Sequence, residues 1–179
     1  MGSEETIARW EAEEKAVRAK LQATPGLARP EQVAGRSGLE MLEMMLAGEL
    51  PPPPIASVLD FAILGVERGA AVFQGRPSFK HYNPLGVVHG GWVATLLDSV
   101  MGCAVHSTLP AGKGYTTLEL KVNFVRAVTD AVPLVRAEGK VIHAGRQVAV
   151  AEGRLVAPDG KLHAHATTTC LIFERPSPG

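Results

Sequence analysis

In TTLELKVNF, residues 116–124, apolar and polar side chains alternate: Leu118, Leu120, Val122 and Phe124 point one way, Glu119, Lys121 and Asn123 the other. A period of two marks a half-buried strand. PLVRAEGKVIHA, RQVAVAEGRLVA and KLHAHATTTCLIFE follow, separated by Ala-Gly and by Pro158-Asp159-Gly160, and predict three more antiparallel strands. Upstream, FAILGVERG and AAVFQGR flank a turn at Arg68-Gly69 and predict two strands. Between the two sets lies GGWVATLLDSVMGCAVHS, long and apolar enough for a buried helix, which Pro110 and Gly112 end. The N-terminal third differs. Residues 4–21 carry Ile7, Trp10, Val17 and Leu21 at helical spacing among Glu, Lys and Arg, predicting a peripheral helix with a narrow apolar edge. After the breakers in TPGLARPEQVAGRSG, the run LEMLEMMLAGEL predicts a short Met-rich helix, whose methionines either fill core or line a flexible acyl-chain pocket. Pro51 to Pro54 excludes helix and makes a stiff spacer. Two strands, one buried helix and four strands, without internal repeat, predict an α+β fold in which an antiparallel sheet wraps around a single helix.

Composition adds limits. With 179 residues, 46% of them apolar, the chain supports one core plus extensions. Lys+Arg and Asp+Glu balance at 18 each, so there is no basic field to attract a nucleic acid or an anionic membrane, and an anionic ligand must be held locally. Cys103 and Cys170 lie in apolar stretches and read as reduced core residues. The Glu-rich N-terminus lacks the apolar core of a signal peptide, and no apolar run reaches membrane-spanning length; the expected location is the cytoplasm.

The central helix contains one residue that a core should not. Asp98 is the only formal charge between Trp92 and Val105, and burying an unpaired carboxylate costs several kcal/mol. Either it hydrogen-bonds a neighbouring strand and keeps the fold in register, or it is the desolvated carboxylate that a nucleophile or general base requires. At the start of the same helix, HYNPLGVVHGGW places Gly86, Gly90 and Gly91 where backbone can approach a ligand. Free N–H groups of a first helical turn favour negative charge, such as the oxyanion of acyl transfer; a plain glycine turn is the alternative. Gly90 and Asp98 are eight residues apart, about 12 Å along one helix, too far for one carbonyl carbon. Two such helices antiparallel across a twofold axis would bring the start of one opposite Asp98 of the other, giving two composite sites per dimer.

Asn83, then His89-Gly90-Gly91, then Asp98 nine residues after the histidine resembles the signature of the PaaI-like (phenylacetyl-CoA thioesterase-like) branch of the hotdog acyl-CoA thioesterases. The match runs through TTLELKVNFVRAV and covers about residues 50 to 174. The resemblance implies an antiparallel sheet of about six strands wrapped around one long central helix, here with extra N-terminal helices: an extension and Pro-rich spacer over 1–54, a hotdog domain over 55–175 and a tail over 176–179. It implies that Asn83 and the Gly90 N–H polarise a thioester carbonyl, that His89 orders the helix start, and that Asp98 from the partner subunit attacks or activates water. Thr117 would orient that water, Thr116 being the other possible alignment. A related branch carries Glu where this chain has Asp98.

The implied activity is hydrolysis of an aromatic or medium/long-chain acyl-CoA to free acid and CoA, in a homodimer or dimer of dimers, without metal or cofactor, CoA being part of the substrate. Gly91, Trp92, Met101 and the Met41–Met45 helix would shape the acyl site; Arg146, with Lys121, Arg126 and Arg136, offers cations for CoA phosphates. His163 and His165 alternate on a strand, so they would share a face, but no third metal ligand stands at a matching spacing. His81, His106 and His143 read as loop, helix-end and strand residues. A hotdog enoyl-CoA hydratase would need His five residues after the Asp, where Cys103 stands. The remaining alternative is a non-catalytic acyl-CoA sensor, whose usual DNA-binding extension has no counterpart in the acidic first helix.

Overall fold

The computed structural model describes residues 2–175; the tail assigned to 176–179 lies outside them. Four helices come first: α1 (Ser3–Arg18), α2 (Pro30–Val33), α3 (Gly38–Leu46) and α4 (Pro54–Val58). Strands β1 (Phe61–Glu67) and β2 (Ala70–Gly75) follow, then α5 (Gly90–His106), then β3 (Lys113–Phe124), β4 (Val135–Ala144), β5 (Val148–Val156) and β6 (Leu162–Glu174). All six strands form one antiparallel sheet in the order β1-β2-β4-β5-β6-β3. The sheet curves around α5 as the sequence pattern predicts. The pairing skips one residue at Leu64, Leu118, Ile142 and His163, and such bulges bend a strand and increase its twist.

Helix α5 is buried because its apolar residues fill more than one stripe: Leu96, Leu97, Val100, Met101, Ala104 and Val105 are wholly inaccessible. Each large side chain among them contributes about 1.5–3 kcal/mol by leaving water. The sheet meets them with small residues, including Ala71, Ala137, Ala149, Ala151, Ala164 and Ala166, so the helix backbone comes close to the strands. The helix ends at His106, earlier than Pro110 would enforce: the Thr108 and Leu109 N–H groups tighten to the carbonyls three residues back, Val105 and His106, and the Ser107 hydroxyl donates to the Ala104 carbonyl.

The N-terminal segment wraps the β1 edge. Phe73 and Gly75 face α5, so Gln74, between them on β2, lies on the opposite face of the sheet, where α1 docks. Glu14 is 1% exposed and Gln74 0%. The Glu14 carboxylate accepts from Gln74 at 2.8 Å, from Arg76 and from Arg18, while Gln74 accepts from Arg136, whose guanidinium lies over the Trp10 ring at 4.3 Å and pairs with Glu13. The apolar edge expected of this helix is therefore mostly a polar anchor around Trp10, and the helix stops before Leu21. Pro54, expected to be non-helical, opens α4, where a missing N–H and a fixed φ suit the first position. At the sheet's other edge, the alternation expected of β3 breaks at the Leu118 bulge, leaving Leu118 60% exposed.

Burial alone would raise the Glu14 pKa, but hydrogen bonds from Arg18, Arg76 and Gln74 outweigh it and hold the carboxylate below its ordinary value of 4.5. A depressed folded-state pKa gives stability that is present above the unfolded value and lost as pH falls through the folded one. Acidification below about pH 4.5 should therefore loosen α1, read as faster amide exchange in residues 3–18, and Glu14→Gln should remove this pH dependence. Unchanged α1 exchange between pH 6 and 3.5 would contradict the anchor.

Candidate active site

The loop before α5 is held at its base. Tyr82 and Val88 form an isolated antiparallel bridge, and the His89 N–H donates to the His81 carbonyl at 2.7 Å. Asn83 Oδ1 accepts the Leu85 N–H at 2.9 Å and the Val87 N–H at 3.4 Å, an Asx-type turn. With its oxygen committed to the turn, Asn83 has its NH2 group left to offer as a donor. His81, legible in sequence only as a loop residue, is 7% exposed; its ring stacks on Trp92 and its Nδ1 accepts the Ser78 N–H. Burial, aided by Lys80, holds its pKa below the ordinary value, so the ring packs in its neutral form.

His89 is the N-cap of α5. Its Nδ1 accepts the Gly91 N–H at 2.8 Å, and its carbonyl takes the Trp92 N–H at 3.0 Å. The Gly90 N–H, first in the helix, takes part in neither bond and is one of the donors a helix start leaves unsatisfied. A Cβ on Gly90 would lie 3.1 Å from the Phe124 ring, so glycine lets β3 close against the helix start.

Asp98 lies two turns on. Its carboxylate is half-buried rather than fully buried, and it has a partner on a neighbouring strand, as the first of the two readings had it: Thr117 Oγ1 of β3 donates to Oδ1 at 2.9 Å. The bond fixes which threonine meets the helix, because Thr116 faces the other way and is exposed. Cys103, five residues further on, is held as a thiol: burial, with the Asp98 charge adding, pushes its pKa up to about 12. Cys103 and Cys170 are both unbonded to another sulfur.

The other candidates divide. Gly91 and Arg146 are exposed, Arg146 in the turn between β4 and β5; Lys121 and Arg126 are exposed too. Trp92 (4% exposed) and Met101 (0%) are packed inside the protomer, Trp92 donating from Nε1 to the Leu59 carbonyl at 2.7 Å. Arg136 is engaged by Gln74, Glu13 and Trp10 and has no fork to spare for a phosphate. The expected shared face of His163 and His165 is overturned: His163 is the extra residue of a bulge, is buried and faces the Arg126 and Ala127 carbonyls, whereas His165 is exposed. Among the described residues, no three His, Cys, Asp or Glu side chains converge to hold a metal, and no helix is long and apolar enough to cross a membrane.

The thioesterase superfamily profile matches residues 85–164, which span the helix start, Asp98 and Thr117. A Saccharolobus solfataricus protein with a provisional esterase name is 32% identical over 119 residues, 66% of this chain and 83% of its own length. A solved Ralstonia eutropha protein, provisionally a thioesterase and described as phenylacetic acid degradation-related, is 34% identical with a TM-score of 0.66, covering 72% of this chain and 97% of that one. A thioesterase-type protein of Streptococcus pneumoniae, solved with coenzyme A, shares the fold at 24% identity and a TM-score of 0.59, covering 66% and 89%. The chain belongs to the thioesterase superfamily and is a thioester hydrolase of the hotdog fold. Within that superfamily it falls in the PaaI-like branch.

Proposed function

We propose that the protein hydrolyses acyl-CoA thioesters to the free acid and CoA in the cytoplasm, as a homodimer with two composite sites and with water as the only co-substrate. The observation that carries this is the Thr117 hydroxyl holding the Asp98 carboxylate on a helix whose first turn is capped by His89. The Asn83 NH2 and the Gly90 N–H polarise the thioester carbonyl and stabilise its oxyanion. Asp98 of the partner subunit either attacks that carbon, giving a mixed anhydride that water then hydrolyses to the free acid, or takes a proton from the attacking water. In both routes the C–S bond breaks and the departing sulfur takes up a proton from water or from Asp98, so CoA leaves as the thiol.

The dimer is supported by the two sheet edges. The N-terminal segment lies over the β1 edge, whereas β3 is the other edge; it exposes Leu118 and, against Gly90, Phe124, with Val125 exposed just past its end. An uncovered apolar edge strand is a template for pairing with a second copy. That pairing would bring the start of one α5 near the middle of another, bridging the roughly 12 Å that separates Gly90 from Asp98 within a protomer. Coenzyme A in the Streptococcus pneumoniae relative supports the leaving group.

Thiol release from acetyl-, octanoyl-, palmitoyl- and phenylacetyl-CoA tests the proposal, and binding without release of CoA thiol would favour a sensor instead. Single turnover in 18O-water tests the nucleophilic role of Asp98: label in the carboxylate marks an anhydride opened at the Asp98 carbon. Thr117→Val should lower kcat about tenfold to a hundredfold with little change in KM, since a hydrogen bond to a charged group is lost. Thr117→Ser should restore most of it; an unchanged kcat in Thr117→Val would remove Thr117 from the site.

A further inference from the structure

A cavity of about 450 Å³, within the range of small-molecule sites, lies between β1, α5 and the N-terminal segment. Phe61, Ile63 and Phe73 line its sheet side, Cys103 is its contribution from α5, and Met45 and Ala56 belong to its outer wall. The chain from 18 to 25 and from 52 to 57 supplies the rest of that wall. Its ionic group, the Arg18 guanidinium, is already paired with Glu14 and Asp60, so the cavity offers no unpaired charge to an ionised ligand. Cys103 and Asp98 share a helix: five residues put them about 7.5 Å apart along the axis and on different flanks.

We propose, on the basis of the thioesterase reading above, that this cavity receives the distal part of an aliphatic acyl chain whose carbonyl sits at Asp98. The axial offset makes the cavity selective by length. An acetyl group ends before reaching it, and a medium-length chain buries its methylenes there, each worth about 0.8 kcal/mol, which is close to a fourfold gain in affinity per methylene. An acyl chain ending in a carboxylate is rejected, because that charge would be buried without a partner. The N-terminal segment is then a specificity element: the residues that shield the β1 edge also close the far end of the substrate site.

Affinity tests this separately from turnover. Acetyl-, hexanoyl-, octanoyl- and palmitoyl-CoA would be titrated into protein carrying Asp98→Asn, so that substrate is not consumed. Ala56→Phe and Cys103→Leu, which fill the cavity, should weaken octanoyl-CoA binding about tenfold or more while acetyl-CoA binding stays within about twofold. Met45→Ala, which enlarges it, should move the tightest-binding chain to a longer one. Equal weakening for every chain length, no shift in Met45→Ala, or no dependence of affinity on chain length in the parent protein would each overturn the cavity assignment. Hydrolysis by the protein with Asp98 intact is read independently, so length-dependent binding without turnover would refute the thioesterase chemistry and leave the cavity standing.

Discussion

Asp98→Asn is expected to lower kcat for acyl-CoA hydrolysis by about a thousandfold, within the range for losing a positioned base or nucleophile, with the fold and the proposed dimer retained. Asparagine keeps the shape of aspartate and an oxygen that accepts the Thr117 hydroxyl, so the 2.9 Å contact between β3 and α5 has a replacement. What is lost is the charge and the lone pair that attacks carbon or takes a proton. Thiol release measures the rate, and thermal melting with size-exclusion chromatography checks fold and assembly. Activity within about threefold of the parent would sink the assignment of Asp98 and, with it, the composite site. Loss of activity together with loss of the dimer would instead place Asp98 among the residues that maintain fold or assembly.

Gly139→Ala is expected to destabilise the protein by about 3 kcal/mol, the upper range for forcing an extra methyl into a packed core, and so to lower Tm by about 10 °C in a chain of this size. A Cβ at Gly139 would lie 2.7 Å from the Val100 carbonyl oxygen and 3.0 Å from the Met101 nitrogen. These are backbone atoms of α5 and cannot rotate aside. Relief requires the helix to shift from β4, which also displaces Asp98, two residues before Val100, from Thr117; kcat should fall along with stability. Gly65→Ala is the control, since nothing lies within 4 Å of a Cβ there, and calorimetry on the two variants decides. A Tm for Gly139→Ala within about 2 °C of the parent would mean that helix and strand are less tightly apposed than the structure shows.

The elements themselves were legible because the face on which a side chain falls is a local property. Period two over residues 116–124, turn residues at Arg68-Gly69 and Pro158-Asp159-Gly160, and an apolar run interrupted by Asp98 were enough to order six strands around one helix. The helix start at Gly90 was legible for the same reason, since capping by His89 involves neighbours in the chain. Bulges were not, because an extra residue at Leu118 or His163 exists only relative to the partner strand; this is why Leu118 left its expected face and His163 and His165 parted. Nor were polar partnerships across large separations. Glu14 was one charge among many on a peripheral helix and Arg136 a candidate cation for CoA phosphates until α1 was laid on the outer face of the sheet, where Gln74 and Trp10 joined them into an anchor.

The stretch from Asn83 to Asp98 shows the same division. The sequence by itself determined that a glycine-rich helix start and a lone carboxylate share one helix about 12 Å apart, because rise per residue is fixed by backbone geometry. Only the tertiary structure decided that Thr117 rather than Thr116 meets that carboxylate, that β1 is the covered sheet edge and β3 the uncovered one, and that the N-terminal segment encloses a cavity against Cys103. Those outcomes depend on strand order and on contacts between residues far apart in the chain, which no local pattern encodes.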